Sequence, residues 1–184
     1  MGGSGSGSHY QWWRSTKKTT VEDGRLLDAN RWMREGILAA GVWHTGGWYW
    51  FRDAERKERT SDIGYEVDTT GATPWVRLTY SFKATGIKVD YKVPLTTTRP
   101  RFGGVRWWFI CPLKVNGRAC GRRVGKLYLP PSSSYFGCRH CHDLTYTSSQ
   151  ESHKYDGFYR LMARNTGFDA ATVKEVMDSL GKCR

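Results

Sequence analysis

Two cysteine pairs constrain this chain more than any other feature. Cys111 and Cys120 have eight residues between them, Cys138 and Cys141 have two, and 17 residues separate the pairs. "VRWWFIC" alternates like a strand and runs straight into Cys111. "GKLYL" is a second strand, "PPSSS" a turn, and "YFG" leads back to Cys138. That order places both pairs at neighbouring strand ends, where four sulfurs can surround one ion tetrahedrally. The spacing predicts a zinc ribbon in which Cys111, Cys120, Cys138 and Cys141 bind one structural Zn2+ per chain. Gly121 and Gly137 suit tight turns beside the ligands. The first gap exceeds the usual spacing of roughly two to four residues. "KVNGR" fills it as a small hairpin, with Asn116-Gly117 in a type I′ turn.

Other uses of these cysteines fit less well. Buried, unlinked cysteines would not need two strand-end pairs. A redox pair at Cys138 and Cys141 would open a helix in a βαβ context, which the sequence does not supply. A nucleophile needs a base held in place, and His140 and His142 are too local for that. His142 stands as a substitute ligand, His140 as a supporting residue inside the turn, and Cys183 as a spare thiol.

Net charge is +12, and its location matters more than its sum. From Tyr91 to His142 there are ten basic residues and no Asp or Glu: Lys92, Arg99, Arg101, Arg106, Lys114, Arg118, Arg122, Arg123, Lys126 and Arg139. The flanking segments are close to neutral. Four thiolates and a divalent ion sum to −2, which accounts for about two of these cations. The remainder point to a polyanionic partner.

Residues 1–15 read as a Gly/Ser-rich flexible tail ending in the aromatic "YQWW". The tail has no apolar core of the kind an export signal needs, and no membrane span is evident, so a cytoplasmic location is expected. Thr20 or Asp28 caps a short helix reaching about Glu35, with Leu27, Trp32 and Ile37 or Leu38 on its apolar side; Gly24 argues for two short pieces. "GVWHTGGWYWFR" is read as a hairpin turning at Gly46-Gly47. "SDIGYEVD", "WVRLTYSF" and "IKVDYKVPL" alternate as strands of an antiparallel meander, with Val76, Leu78, Tyr80 and Phe82 on one face. The helix or the tail would cover that face. "DAERKERTSD" reads as an exposed loop and "TTTRPRFGG" as a connector. Ser149 caps a helix to about Asn165, with Tyr155, Phe158, Tyr159 and Met162 on its apolar side. Asp169 caps a second helix ending at Gly181. The predicted fold is α+β: tail 1–15, antiparallel sheet domain with a short helix 16–98, zinc ribbon 99–146, and helical hairpin 147–184.

The basic segment interleaves cations with aromatics, a pattern suited to phosphates and unpaired bases. Alternation in "VRWWFIC" puts Val105, Trp107 and Phe109 on one face and Arg106, Trp108 and Ile110 on the other. The predicted nucleic-acid-binding residues are Arg99, Arg101, Arg106, Trp108, Lys114, Arg118, Arg122, Arg123, Lys126 and Arg139. DNA and structured RNA both remain open. Arg25, Arg31 and Arg34 could read a groove, but the acids among them favour a packing helix.

"KKTTVED", "WMREGIL", "VPLTTTRPRFGGVRWWFICPL", "CGRRVGKLYLPP", "YFGCRHCHDLTY" and "SHKYDGFYRLMARNTG" together resemble a family of small bacterial zinc-ribbon proteins. The resemblance runs from about residue 10 and implies the zinc site, with no activity attached. More loosely, the cysteine segment is similar to the zinc ribbons of transposases. The expected function is nucleic-acid binding, with a homodimer or a larger nucleoprotein complex as the assembly. Two alternatives differ in class. A nucleic-acid-processing enzyme or accessory subunit would use Asp62, Glu66 and Asp68, which alternate on one strand. A protein-interaction adaptor would use some of the nine tryptophans.

Overall fold

The structure is a computed structural model that describes residues 18–51, 59–83, 85–152 and 156–181. The tail 1–15, most of the "DAERKERTSD" loop, Tyr155 and Cys183 lie outside the described residues. The chain divides into two compact units, Met1–Leu144 and Thr145–Arg184.

The first unit opens with a single 3-10 turn, Val21–Asp23, where the Asp23 carboxylate accepts from the Thr20 N–H at 2.9 Å and its hydroxyl at 2.7 Å. Strand β1 (Arg25–Asp28) and helix α1 (Ala29–Arg34) follow. Asp28 caps α1, accepting from the Asn30 N–H at 2.9 Å. Both predicted caps are therefore used, on separate pieces. The strand between them was not expected. A side chain at Gly24 would come within 3.1 Å of the Leu129 carbonyl oxygen, so glycine lets β1 start flush against its partner.

Next come β2 (Trp43–Phe51), β3 (Arg59–Asp68), β4 (Trp75–Ser81), β5 (Lys88–Thr98), β6 (Arg106–Ile110), β7 (Lys114–Val115), β8 (Arg118–Ala119), β9 (Arg123–Val124) and β10 (Lys126–Leu129). An antiparallel sheet runs β2-β3-β4-β5-β6-β9, while β7 pairs with β8 and β10 with β1. Leu95 lies opposite Phe109 in the β5–β6 ladder. Residues on both sides of the expected 98/99 domain boundary thus share one sheet.

Alternation puts Trp48, Ile63, Val67, Val76, Leu78, Val93, Leu95, Trp107 and Phe109 on the buried face. Trp32 of α1 is fully buried against it, with ring centroids 5.6 Å from Trp48, 5.2 Å from Tyr65 and 5.7 Å from Phe109. Leu27, Leu127 and Phe136 extend the same core. The cover predicted for the sheet therefore comes from α1 together with β1 and β10. Val105 departs from its predicted face: it precedes β6 and is exposed.

The Gly46-Gly47 hairpin is not formed, because β2 runs through both residues without turning. A Cβ on Gly46 would meet the Tyr65 hydroxyl at 2.5 Å, and one on Gly47 the Tyr49 hydroxyl at 2.6 Å. These glycines make room for tyrosine rings lying over the strand.

The second unit holds α2 (Thr147–Ser152), α3 (Asp156–Thr166) and α4 (Ala170–Gly181). Asp169 caps α4, accepting from the Ala171 and Thr172 N–H groups at 2.9 Å. Tyr159 and Met162 are half-buried, whereas Phe158 is exposed.

Trp32 links the helix to three strands, so its loss should be felt throughout the first unit. Trp32→Ala is expected to lower unfolding free energy by about 3–5 kcal/mol in urea titrations. A loss below about 1 kcal/mol would mean that this ring does not centre the core.

Candidate metal centre

Three of the four sulfurs sit beside a strand end, a short hairpin or a bridge, and Cys141 sits in a turn. Cys111 continues β6, and its N–H donates to the Arg122 carbonyl at 2.9 Å, extending the β6–β9 pairing. Between Cys111 and Cys120 the β7–β8 hairpin projects as predicted. Asn116 and Gly117 have φ of 51° and 76°, the left-handed pair that a type I′ turn requires. The hairpin closes with the Cys120 N–H donating to the Leu113 carbonyl at 2.8 Å. On the other side, Tyr128 of β10 bridges Gly137, exchanging hydrogen bonds of 2.8 and 2.9 Å and delivering Cys138. A Cβ on Gly137 would fall 2.1 Å from a Leu113 methyl carbon, so glycine lets the two cysteine turns close on each other without moving that side chain.

The four Sγ atoms lie within 4.8 Å of one another. Cys111 and Cys141 are 3.8 Å apart, and Cys120 and Cys138 are 3.9 Å apart. A tetrahedral thiolate site with metal–sulfur bonds of about 2.3 Å has sulfurs about 3.8 Å apart. The cluster fits that size, and all four cysteines are free thiols. Backbone amides also point at the sulfurs: Cys138 N–H to Cys111 Sγ at 3.3 Å, and Cys141 N–H to Cys138 Sγ at 3.4 Å. These donors stabilise thiolate charge. The four cysteines can hold a metal ion. Burial pushes the Cys111 thiol up to about 11 and raises Cys141 as well. At Cys120 burial also acts upward, but the Arg122 N–H and the neighbouring sulfurs outweigh it and hold the thiol below its ordinary value. A divalent cation would favour thiolate at all four.

Neither histidine belongs to this group of ligand atoms. His142 is half-buried; its Nε2 is buried without a hydrogen-bond partner, and burial holds its pKa below the ordinary value. His140 is exposed. Asp62, Glu66 and Asp68 form no three-ligand group among the described residues. Glu66 lies 3.7 Å from Arg77 and accepts from the Trp43 indole at 3.3 Å. Asp68 accepts from the Thr70 hydroxyl at 2.7 Å, which holds its carboxyl below the usual range.

The predicted cations fall into stations rather than one cluster. Arg99 and Arg101 are exposed on the β5–β6 loop, and Lys114 and Arg118 on the β7–β8 hairpin, with Arg122 just beyond it. Arg106 and Arg123 flank Trp108, with guanidinium carbons 4.1 and 5.5 Å from the ring. The Trp108 indole donates to Thr98 at 2.9 Å, and the ring edge lies over Gly125. Two predicted contacts are partly occupied within the chain. Lys126 sits 3.8 Å from Asp28, and Arg139 is half-buried and donates to the Leu144 carbonyl at 3.4 Å. Sequence reading missed Thr98 and Gly125 as partners of Trp108; Thr98 is set by the β5–β6 register, which periodicity alone does not give, and Gly125 lies between β9 and β10.

Fold and site together define an α+β protein built on an antiparallel sheet, with a four-cysteine cluster able to hold a metal. In comparisons with known proteins, no family model, curated protein or solved structure matches the chain. Among the described residues no helix is long and apolar enough to cross a membrane.

Gly137→Val would drive a side chain into Leu113 and separate the cysteine turns. The variant is expected to lose most of its bound metal in elemental analysis and to melt at lower temperature. Metal content equal to wild type would show that the turns close without this contact.

Proposed function

We propose that the protein binds nucleic acid in the bacterial cytoplasm through a cationic surface braced by one structural zinc ion. In this reading Cys111, Cys120, Cys138 and Cys141 form the metal site of a zinc ribbon, and α3 and α4 of the second unit pack on each other as a hairpin. The thiolate donor set suits zinc, which is borderline-soft and takes four-coordinate tetrahedral sites. Bound zinc supplies folding energy and neutralises thiolate charge; it is assigned no chemistry beyond that.

One observation carries the binding reading. Among the described residues, Arg99, Arg101, Arg106, Lys114, Arg118, Arg122 and Arg123 are exposed, and none forms an ion pair with a carboxylate. By contrast Arg77, elsewhere on the sheet, is held by Asp90 at 2.6 Å. Among the described residues, these seven cations thus stand without a carboxylate partner. Such a surface favours a polyanion, since each phosphate contact releases condensed counterions. The stations follow β6 from its Arg106 end to Cys111. At about 3.3 Å per residue that is roughly 17 Å, or about five nucleotides of backbone. DNA and structured RNA both satisfy this geometry.

Replacing Arg118, Arg122 and Arg123 together with Glu tests the reading by fluorescence anisotropy on labelled oligonucleotides across a salt series. Binding is expected to weaken, and the slope of log K against log salt to fall by about 0.7 per lost contact on a single strand. Metal content and melting temperature should stay at wild-type values, because all three side chains are exposed. Unchanged affinity and slope would remove these residues from the interface.

The metal part of the proposal has its own test. Cys138→Ser is expected to abolish stoichiometric zinc and to leave a largely insoluble or unfolded product, monitored by elemental analysis and circular dichroism. A soluble, folded Cys138→Ser protein retaining one zinc per chain would contradict it.

A further inference from the structure

Phe102 is 99% exposed, the extreme among the large apolar side chains of the described residues; Phe168 follows at 64% and Trp43 at 62%. It sits in the loop between β5 and β6, whose ladder ends at the Thr98–Arg106 pair. The loop is shaped to hold this ring outward. The Gly103 N–H donates to the Pro100 carbonyl at 3.1 Å, closing a tight turn with Arg101 and Phe102 at its centre. Gly103 and Gly104 follow with φ of 84° and 81°, a left-handed conformation that favours glycine. Arg99 and Arg101 are exposed on either side of Pro100. A ring placed this way contributes nothing to the core and leaves its apolar face open to a ligand.

We propose that Phe102 is a base-stacking finger: its ring packs on an unpaired base while Arg99 and Arg101 hold the adjoining phosphates. The proposal rests on the nucleic-acid reading above and adds the contact to the base. Trp108, the aromatic that the sequence pattern suggested for this role, is half-buried, flanked by two guanidiniums and tied to Thr98. Its ring organises Arg106 and Arg123 for phosphate, which leaves Phe102 as the open π-face beside the same stripe. Phenylalanine offers no hydrogen bond, so the contact tolerates any base. A lipid surface fits less well. Besides Phe102 the loop exposes only Pro100 and Val105 as apolar side chains, and so small a patch adds little to membrane binding, where stable anchoring takes two signals.

The test compares wild type, Phe102→Ala and Phe102→Trp, all zinc-loaded, on a labelled single-stranded oligonucleotide, its duplex, and anionic phosphatidylglycerol vesicles. Phe102→Ala is expected to bind the single strand about 5- to 150-fold more weakly, the loss of one stacked base. The salt slope should be unchanged, duplex binding nearly so, and Phe102→Trp should bind the single strand at least as well as wild type. A 2-aminopurine in the single strand should be quenched by wild type and much less by Phe102→Ala. If Phe102→Ala matches wild type on the single strand while the triple Arg→Glu variant weakens it, the finger is overturned and the nucleic-acid reading stands. If wild type binds neither oligonucleotide, both fall. Loss of vesicle binding alone in Phe102→Ala would overturn the finger in favour of a lipid contact.

Discussion

The approach of four sulfurs to within 4.8 Å of one another is the constraint on which the rest of the cysteine segment depends. It joins backbone that the sheet alone would leave loosely tied. Cys111 follows β6, the strand next to the sheet's β9 edge, Cys120 follows the two-residue β8, and Cys138 follows a single bridge between Tyr128 and Gly137. Two-residue strands and isolated bridges contribute little stability by themselves. A metal bound at the four thiols would close these segments into one body and would tie the β7–β8 hairpin to the end of β6. Under the proposed function, the same closure fixes the cations that meet phosphate.

The charge arrangement follows from where the acids are. Asp62, Glu66 and Asp68 line β3, and Asp90 lies on β5 opposite Thr79; of these, Glu66 and Asp90 meet Arg77. The β6–β9 side of the sheet has no such residues. Exposed ion pairs of the Arg77 kind contribute little to folding. What the separation does supply is a sheet whose far side is left positive, where the Trp108 ring lies between Arg106 and Arg123.

How much of this was legible in the sequence depended on the range of the interaction. Local signals read well. Asp28 and Asp169 cap the helices assigned to them, Asn116-Gly117 turns the small hairpin, and alternation gave the buried face of β4 and β5. The cysteine spacing was enough to bring the four thiols together, because strand ends in a small sheet leave few other places for them. The failures share a cause in tertiary packing. Gly46-Gly47 has the composition of a turn, yet its glycines are there to admit tyrosine rings from the same and the next strand. "GRLLD" has too few residues to declare a strand, and only its partner "KLYL", about 100 residues away, makes it one. Arg101-Phe102 was legible as one of the cation–aromatic pairs of the basic segment, but its full exposure was not, because periodicity gives no facing for a residue in a Pro/Gly connector.

X-ray absorption at the zinc edge on protein purified without added metal tests the central claim most directly. The account predicts about one zinc per chain with four sulfur neighbours at about 2.3 Å and no nitrogen or oxygen in the coordination sphere. A mixed shell with nitrogen at about 2.0–2.1 Å, or no bound metal in folded protein, would contradict it.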